Sequence, residues 1–286
     1  MEKRGKINIK FYANTELKPF ILGDVELFPL YVRVGYRRKN TKFKFMPELF
    51  VQDELTDNID SWITLMTNDK FDLRKEINLT YNIIEGIIRY EEEKLGDDFK
   101  LKGLGDRIKI YKVSLIRTLE DGLTSTFQLF SRSVLTVNQF EQIKSLQFAD
   151  ATAELSKMYG QSIIDKILFH KIGRITSTSI SMLTPQMFNF TFVSALANKT
   201  KSEDISVYDW LIKGKRQEYL TFIQDFENQI KDDDKIKSLQ LVGRFTITKE
   251  QFLDINFKEL VSVALNFPVN NLIRGIYGDN HKIINK

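Results

Sequence analysis

The sequence predicts an α+β protein: a small three-stranded sheet plus a helix at the N-terminus, followed by a larger mixed α+β domain. Three observations predict it. Short segments of the first fifty residues alternate apolar and polar side chains, the period of a strand with one buried face. Residues 73–95 carry apolar side chains at helical spacing. Beyond residue 106, helical patterns are interspersed with Ser-, Thr- and Phe-rich stretches that read as strands. A length of 286 residues suits two domains, here 1–100 and 106–286, with the boundary in the Gly96–Gly105 stretch.

The elements follow in order. Residues 6–12 alternate and form a first strand, Leu27 to Tyr36 a second, and Thr41 to Phe45 a third, joined to the second through Arg37-Arg38-Lys39-Asn40. Pro29 stands near a strand entry, where its lost donor does no harm. Parity puts Leu30, Val32, Val34 and Tyr36 on one face with Phe43 and Phe45, and Tyr31 and Arg33 on the other with Lys42 and Lys44. The helix follows, with a stripe of Leu73, Ile77, Tyr81, Ile84, Ile88 and Leu95, Asp72 as its N-cap and Gly96 as the residue past its end. From Arg107 to about Gly173 the pattern is mainly helical, best over Ala149 to Ile172. Arg174 to Leu196 reads as a hairpin or two strands, with Phe188, Phe190 and Phe192 alternating along one face. Ser206 to Ile230 is helical, with Gly214 as a break; Leu239 to Thr248 is a strand; Thr248-Lys-Glu-Gln251 opens a last helix through Phe267.

Charge is concentrated at one end. The net charge is +4, yet residues 1–50 hold 11 Lys or Arg against 5 Asp or Glu, leaving the other residues slightly acidic. Six cations and no acid stand between Arg33 and Lys44: Arg33, Arg37, Arg38, Lys39, Lys42 and Lys44. Such a patch draws phosphate through release of counterions. The same charges would also keep an ordinary hairpin solvated.

The run Pro-Leu-Tyr-Val-Arg-Val over 29–34, the Lys/Arg turn to Phe45 and the Ile77-to-Ile88 helix resemble the arm-type DNA-binding domain of tyrosine recombinases of phages and mobile elements, especially those of Bacteroidetes. The resemblance covers about a third of the chain, and it implies that the sheet enters the major groove of DNA. It also implies that Arg33, Lys42 and Lys44 on the exposed face, with Arg37 to Lys39 in the turn, make the contacts. The catalytic half of that family has no counterpart. His170 is followed by Lys-Ile-Gly-Arg174, one residue longer than His-x-x-Arg, and no tyrosine follows His281.

Other chemistry is equally unsupported. The absence of cysteine excludes disulfides and thiolate metal sites, and two histidines are too few for most imidazole-based ones. Gly103-Leu-Gly105 lacks the rest of a phosphate loop, and no Gly-x-Ser-x-Gly elbow occurs. Asp53, Glu54, Asp57 and Asp60 suit an acidic helix start, and Asp232 to Asp234 lack the spacing of a calcium loop. No run of 18 apolar residues occurs, and the basic start leads into a strand-like segment, so neither a membrane span nor a signal peptide is expected. The expectation is a non-enzymatic protein without cofactor, metal or small-molecule substrate. The expected role is that of a structural component of a bacteriophage virion or related assembly, of neck, tail-ring or adaptor type, assembled in the host cytoplasm. Its partners are copies of itself or a large assembly, with DNA or a neighbouring subunit on the basic module. The alternative is a DNA-binding accessory protein of recombination or replication in the bacterial cytoplasm.

Overall fold

The computed structural model describes residues 5–22, 25–45, 73–168, 183–202, 204–240 and 246–250, with 271, 272, 274 and 277. The expected N-cap Asp72, the acidic cluster at 53–60, His170, Arg174, His281 and the helix expected beyond Glu250 lie outside these residues. Packing divides the chain into two units, the first running to Tyr111 and the second starting at Lys112.

The first unit is built on a three-stranded antiparallel sheet. Strands β1 (Asn8–Ala13), β4 (Leu30–Tyr36) and β5 (Lys39–Lys44) lie in the order β1-β4-β5, and a small hairpin of β2 (Phe20–Leu22) and β3 (Val25–Leu27) interrupts them. The parity expected for β4 holds along the strand: Leu30, Val32, Val34 and Tyr36 are buried and Arg33 is exposed. Phe45 is buried and meets Phe11 edge to face at 5.3 Å. Phe43, expected to be buried, is half-buried at the sheet margin.

Helix α1 (Leu73–Leu95) follows and ends at Gly96, whose φ of 53° reverses the chain in the way expected of it. Among its described residues Thr80, Ile83, Ile84, Ile87, Ile88 and Glu91 are buried. Tyr81, expected on the stripe, is exposed, because the inward face takes neighbouring pairs one turn apart rather than a single line of residues. Helix α2 (Leu104–Tyr111) belongs to this unit. A Cβ at its Gly105 would stand 2.7 Å from Phe43 Cβ, so the glycine is what lets the helix lie against β5. The Arg107 Nε of α2 donates to both oxygens of the buried Glu91 at 2.9 and 3.0 Å, and its remaining nitrogens donate to the carbonyls of Lys100 and Lys102.

Among the described residues the second unit is helical with one hairpin. Helices α3 (Leu115–Val134), α4 (Val137–Ile143), α5 (Phe148–Tyr159), α6 (Gln161–Leu168), α7 (Thr184–Lys199), α8 (Val207–Leu211) and α9 (Lys215–Asp232) precede β6 (Ser238–Gln240) and β7 (Thr246–Thr248). Local signals set their ends. Thr136 with Gln139 and Ser206 with Asp209 form capping boxes, and Ser114 accepts from the Arg117 N–H. Gly160 at φ 80° breaks the helix expected over 149–172, and Gly214 at φ 76° divides α8 from α9 as expected. The strand expected from Leu239 to Thr248 is two short strands paired with each other, Ser238 opposite Thr248.

One expectation is overturned outright. The segment 184–196, predicted as strand, is helix α7. Pro185 sits in its first turn, where the missing N–H is harmless. Phe188 and Phe192 are one turn apart, stacked at 5.7 Å, and Phe192 meets Phe226 and Phe222 of α9 edge-on at 4.9 and 6.1 Å. Packing against α3 and α9 buries Met187, Phe188, Asn189, Phe192, Val193, Leu196 and Ala197, and this burial outweighs the strand propensity of the Phe/Thr alternation.

Candidate nucleic-acid interface

Sheet register assembles the site. Lys10 of β1 lies opposite Arg33 of β4, and Arg33 lies opposite Lys42 of β5. Side chains directly across an antiparallel pair share a face, so these three cations form one row across all three strands. All three are exposed, and none makes an ion pair among the described residues. On one side of this row lie Tyr12, Tyr31 and Lys44, with the tyrosine rings 6.3 Å apart. On the other side lie Asn8, Gly35 and Asn40. The face bounds a groove of about 580 Å³, lined by the cationic row, Tyr12, Asn40, Thr41 and the turn Asn14–Glu16. The Asn14 side chain, itself buried, accepts from the Glu16 N–H at 3.3 Å and fixes that turn.

The six cations singled out from the sequence are not one cluster. Arg33, Lys42 and Lys44 share the exposed face with Lys10. Lys39 lies opposite the buried Tyr36 and so belongs to the other face of the sheet. Arg37 and Arg38 form the two-residue hairpin loop at φ 46° and 62°, left-handed conformations that a turn of this length requires and that Asn-Gly usually supplies. Arg37 is ion-paired with Glu92 of α1, and its guanidinium lies 5.5 Å from the Tyr36 ring centre. Arg89 approaches the same ring at 5.8 Å. Burial, and then the nearby Glu92 carboxylate, hold the Tyr36 hydroxyl above its ordinary range. This arrangement ties the hairpin tip to α1 and leaves Arg38 exposed as the turn's outward cation.

Sequence reasoning confined to the cations of 33–44 missed Lys10, Asn8 and Asn40. The alternation of β1 places Asn8, Lys10 and Tyr12 on one face, but which strand that face would lie beside is not a local property. Among the described residues no group of three His, Asp or Glu is placed to hold a metal ion. Among them also, no helix is long and apolar enough to cross a membrane. No family model, curated protein or solved structure matches the chain.

Proposed function

We propose that the first unit binds double-stranded DNA through the exposed face of its sheet, in a non-enzymatic accessory protein of a phage or mobile element. The observation that carries this is the row Lys10–Arg33–Lys42. Like charges directly opposite on a sheet are destabilising, and nothing acidic among the described residues offsets them by ion pairing. A polyanion would. The outer strands lie about 10 Å apart at the usual strand spacing, which suits a major groove about 12 Å wide. The resemblance to arm-type domains points to the same mode of docking.

The test is the full-length triple variant Lys10→Ala, Arg33→Ala, Lys42→Ala. Its thermal stability is expected to equal or exceed that of the wild type, and its duplex affinity to fall with a salt slope smaller by about 2–3. A wild-type protein that binds no duplex even at low salt refutes the reading.

A second reading rests on the second unit. Val137, Leu129 and Leu220 are 77%, 59% and 48% exposed there, and a subunit of a virion ring would cover such side chains. Under it the cationic row meets an acidic neighbour, and the triple variant fails to enter particles while wild-type protein shows no salt-dependent DNA binding.

A further inference from the structure

We infer that the sheet face reads base edges as well as phosphates: Arg33 selects guanine and Asn40 selects adenine in the major groove. The inference rests on the DNA-binding reading above.

Position in the sheet is the first argument. In a sheet lying in a groove, the outer strands face the walls, where the phosphates are, and the central strand faces the floor, where base edges are exposed. Lys10 and Lys42 are on the outer strands and Arg33 is on the central one. An ammonium is a point charge suited to a phosphate, whereas a guanidinium presents a fork that matches the O6 and N7 of guanine. The residue types therefore sit where each is useful.

The adjoining row is the second argument. Asn40 is on an outer strand, but its side chain leans over Gly35 of the central strand. A Cβ at Gly35 would stand 2.9 Å from Asn40 Oδ1 and 3.8 Å from Asn8 Cβ. A glycine inside a strand loses packing and entropy, and it marks a place where something comes close to the backbone. Here it gives the Asn40 carboxamide room to reach the floor, where a carboxamide pairs with the N6 and N7 of adenine.

A surface for phosphates alone would carry cations throughout, yet the groove on the sheet face is also lined by Glu16. A carboxylate repels phosphate and accepts from a base amino group. Along β4, Arg33 and Gly35 are two residues apart, about 6.8 Å, the rise of two base pairs at about 3.4 Å each.

The experiment is selection of bound duplexes from a random pool by the full-length protein, followed by competition binding. Enrichment of a site with guanine and adenine about two base pairs apart is expected. Arg33→Lys keeps the charge and removes the fork. It should lose roughly 5- to 150-fold discrimination at guanine with the salt slope and melting temperature unchanged. Asn40→Ala should relax the adenine position alone, and Gly35→Ala, which displaces the Asn40 side chain without removing it, should do the same. Binding that is tight and salt-dependent but indifferent to sequence, with Arg33→Lys equal to wild type, overturns the inference and leaves the DNA-binding reading standing. Failure of the wild type to bind any duplex overturns both.

Discussion

Two arginines occupy the αL positions of a two-residue hairpin loop, and each non-glycine residue held there costs about 1–2 kcal/mol. Arg37 recovers part of that through Glu92 and the Tyr36 ring; Arg38 makes no ion pair among the described residues. Arg38→Gly is therefore expected to raise stability by about 1 kcal/mol, net of the entropy glycine adds to the unfolded chain. The same change should weaken duplex binding with a salt slope smaller by about 1. Denaturant titration and DNA titration on one protein sample check both halves, and a variant that loses stability shows the turn is not strained. The reverse holds at Glu91, whose side chain is 1% exposed and whose partner Arg107 is 11% exposed. Glu91→Ala leaves Arg107 without its carboxylate and should cost about 3–5 kcal/mol, read as a shift in the urea midpoint. The two ionic sites differ in how far the sequence discloses them. Arg37-Arg38 stands out because basic residues are adjacent. Glu91 sits in an ordinary run of acidic residues at 91–93, and only the fold separates the buried one from its neighbours.

At the level of elements, α7 and β4 make an instructive pair. The faces of β4 were legible because a period of two over seven residues admits one assignment, and burial follows it. Helix α7 also alternates with a period of two, at Phe188, Phe190 and Phe192, yet its surroundings select the period of a helix. Phe188 is fully buried and Phe192 is 5% exposed, while Phe190 between them is half-buried. No window of α7 alone contains Phe222 and Phe226, the rings that decide the matter. Phe192→Ala should cost about 3–5 kcal/mol through the cavity it leaves. Phe190→Ala should cost clearly less; equal losses would indicate the strand pattern after all. Between α7 and α9 the buried Tyr219 hydroxyl donates to Asn189 Oδ1 at 2.8 Å. Burial pushes the Tyr219 hydroxyl well above its ordinary value of 10.0, so the folded chain holds that proton where the unfolded chain releases it. The stability this group contributes is complete below about pH 10 and is lost as pH rises beyond it. Phenolate absorbance followed with pH should show one tyrosine ionising only with unfolding, and Tyr219→Phe should remove that component while costing about 1 kcal/mol at neutral pH through the lost hydrogen bond to Asn189.

Across the whole molecule the cations fall into two populations. In the second unit many are spent locally: Lys144 with Glu141, Lys213 with Asp209, Lys215 with Glu218 and Lys231 with Glu227 are ion pairs three or four residues apart. Such pairs add little to stability, but they cancel the field each lysine would project. In the first unit Lys10, Arg33, Arg38, Lys39 and Lys42 make no ion pair among the described residues. These described cations of the first unit are therefore free to meet a polyanion, whereas the locally paired lysines of the second unit are largely offset. If Lys10, Arg33, Arg38 and Lys42 each neutralise one phosphate, Lys39 being on the opposite face, the dependence of log affinity on log salt should approach a slope of about −3 to −4. That is far shallower than 42 Lys and Arg acting together would give. Removing one member of each population separates the two. Lys42→Ala should reduce the slope by about 1, whereas Lys144→Ala and Lys231→Ala should leave both slope and affinity unchanged. Filter-binding or anisotropy titrations at four or more salt concentrations measure this directly. Equal changes from the two sets would place the anion-binding surface outside the sheet and remove the basis for assigning it to β1, β4 and β5.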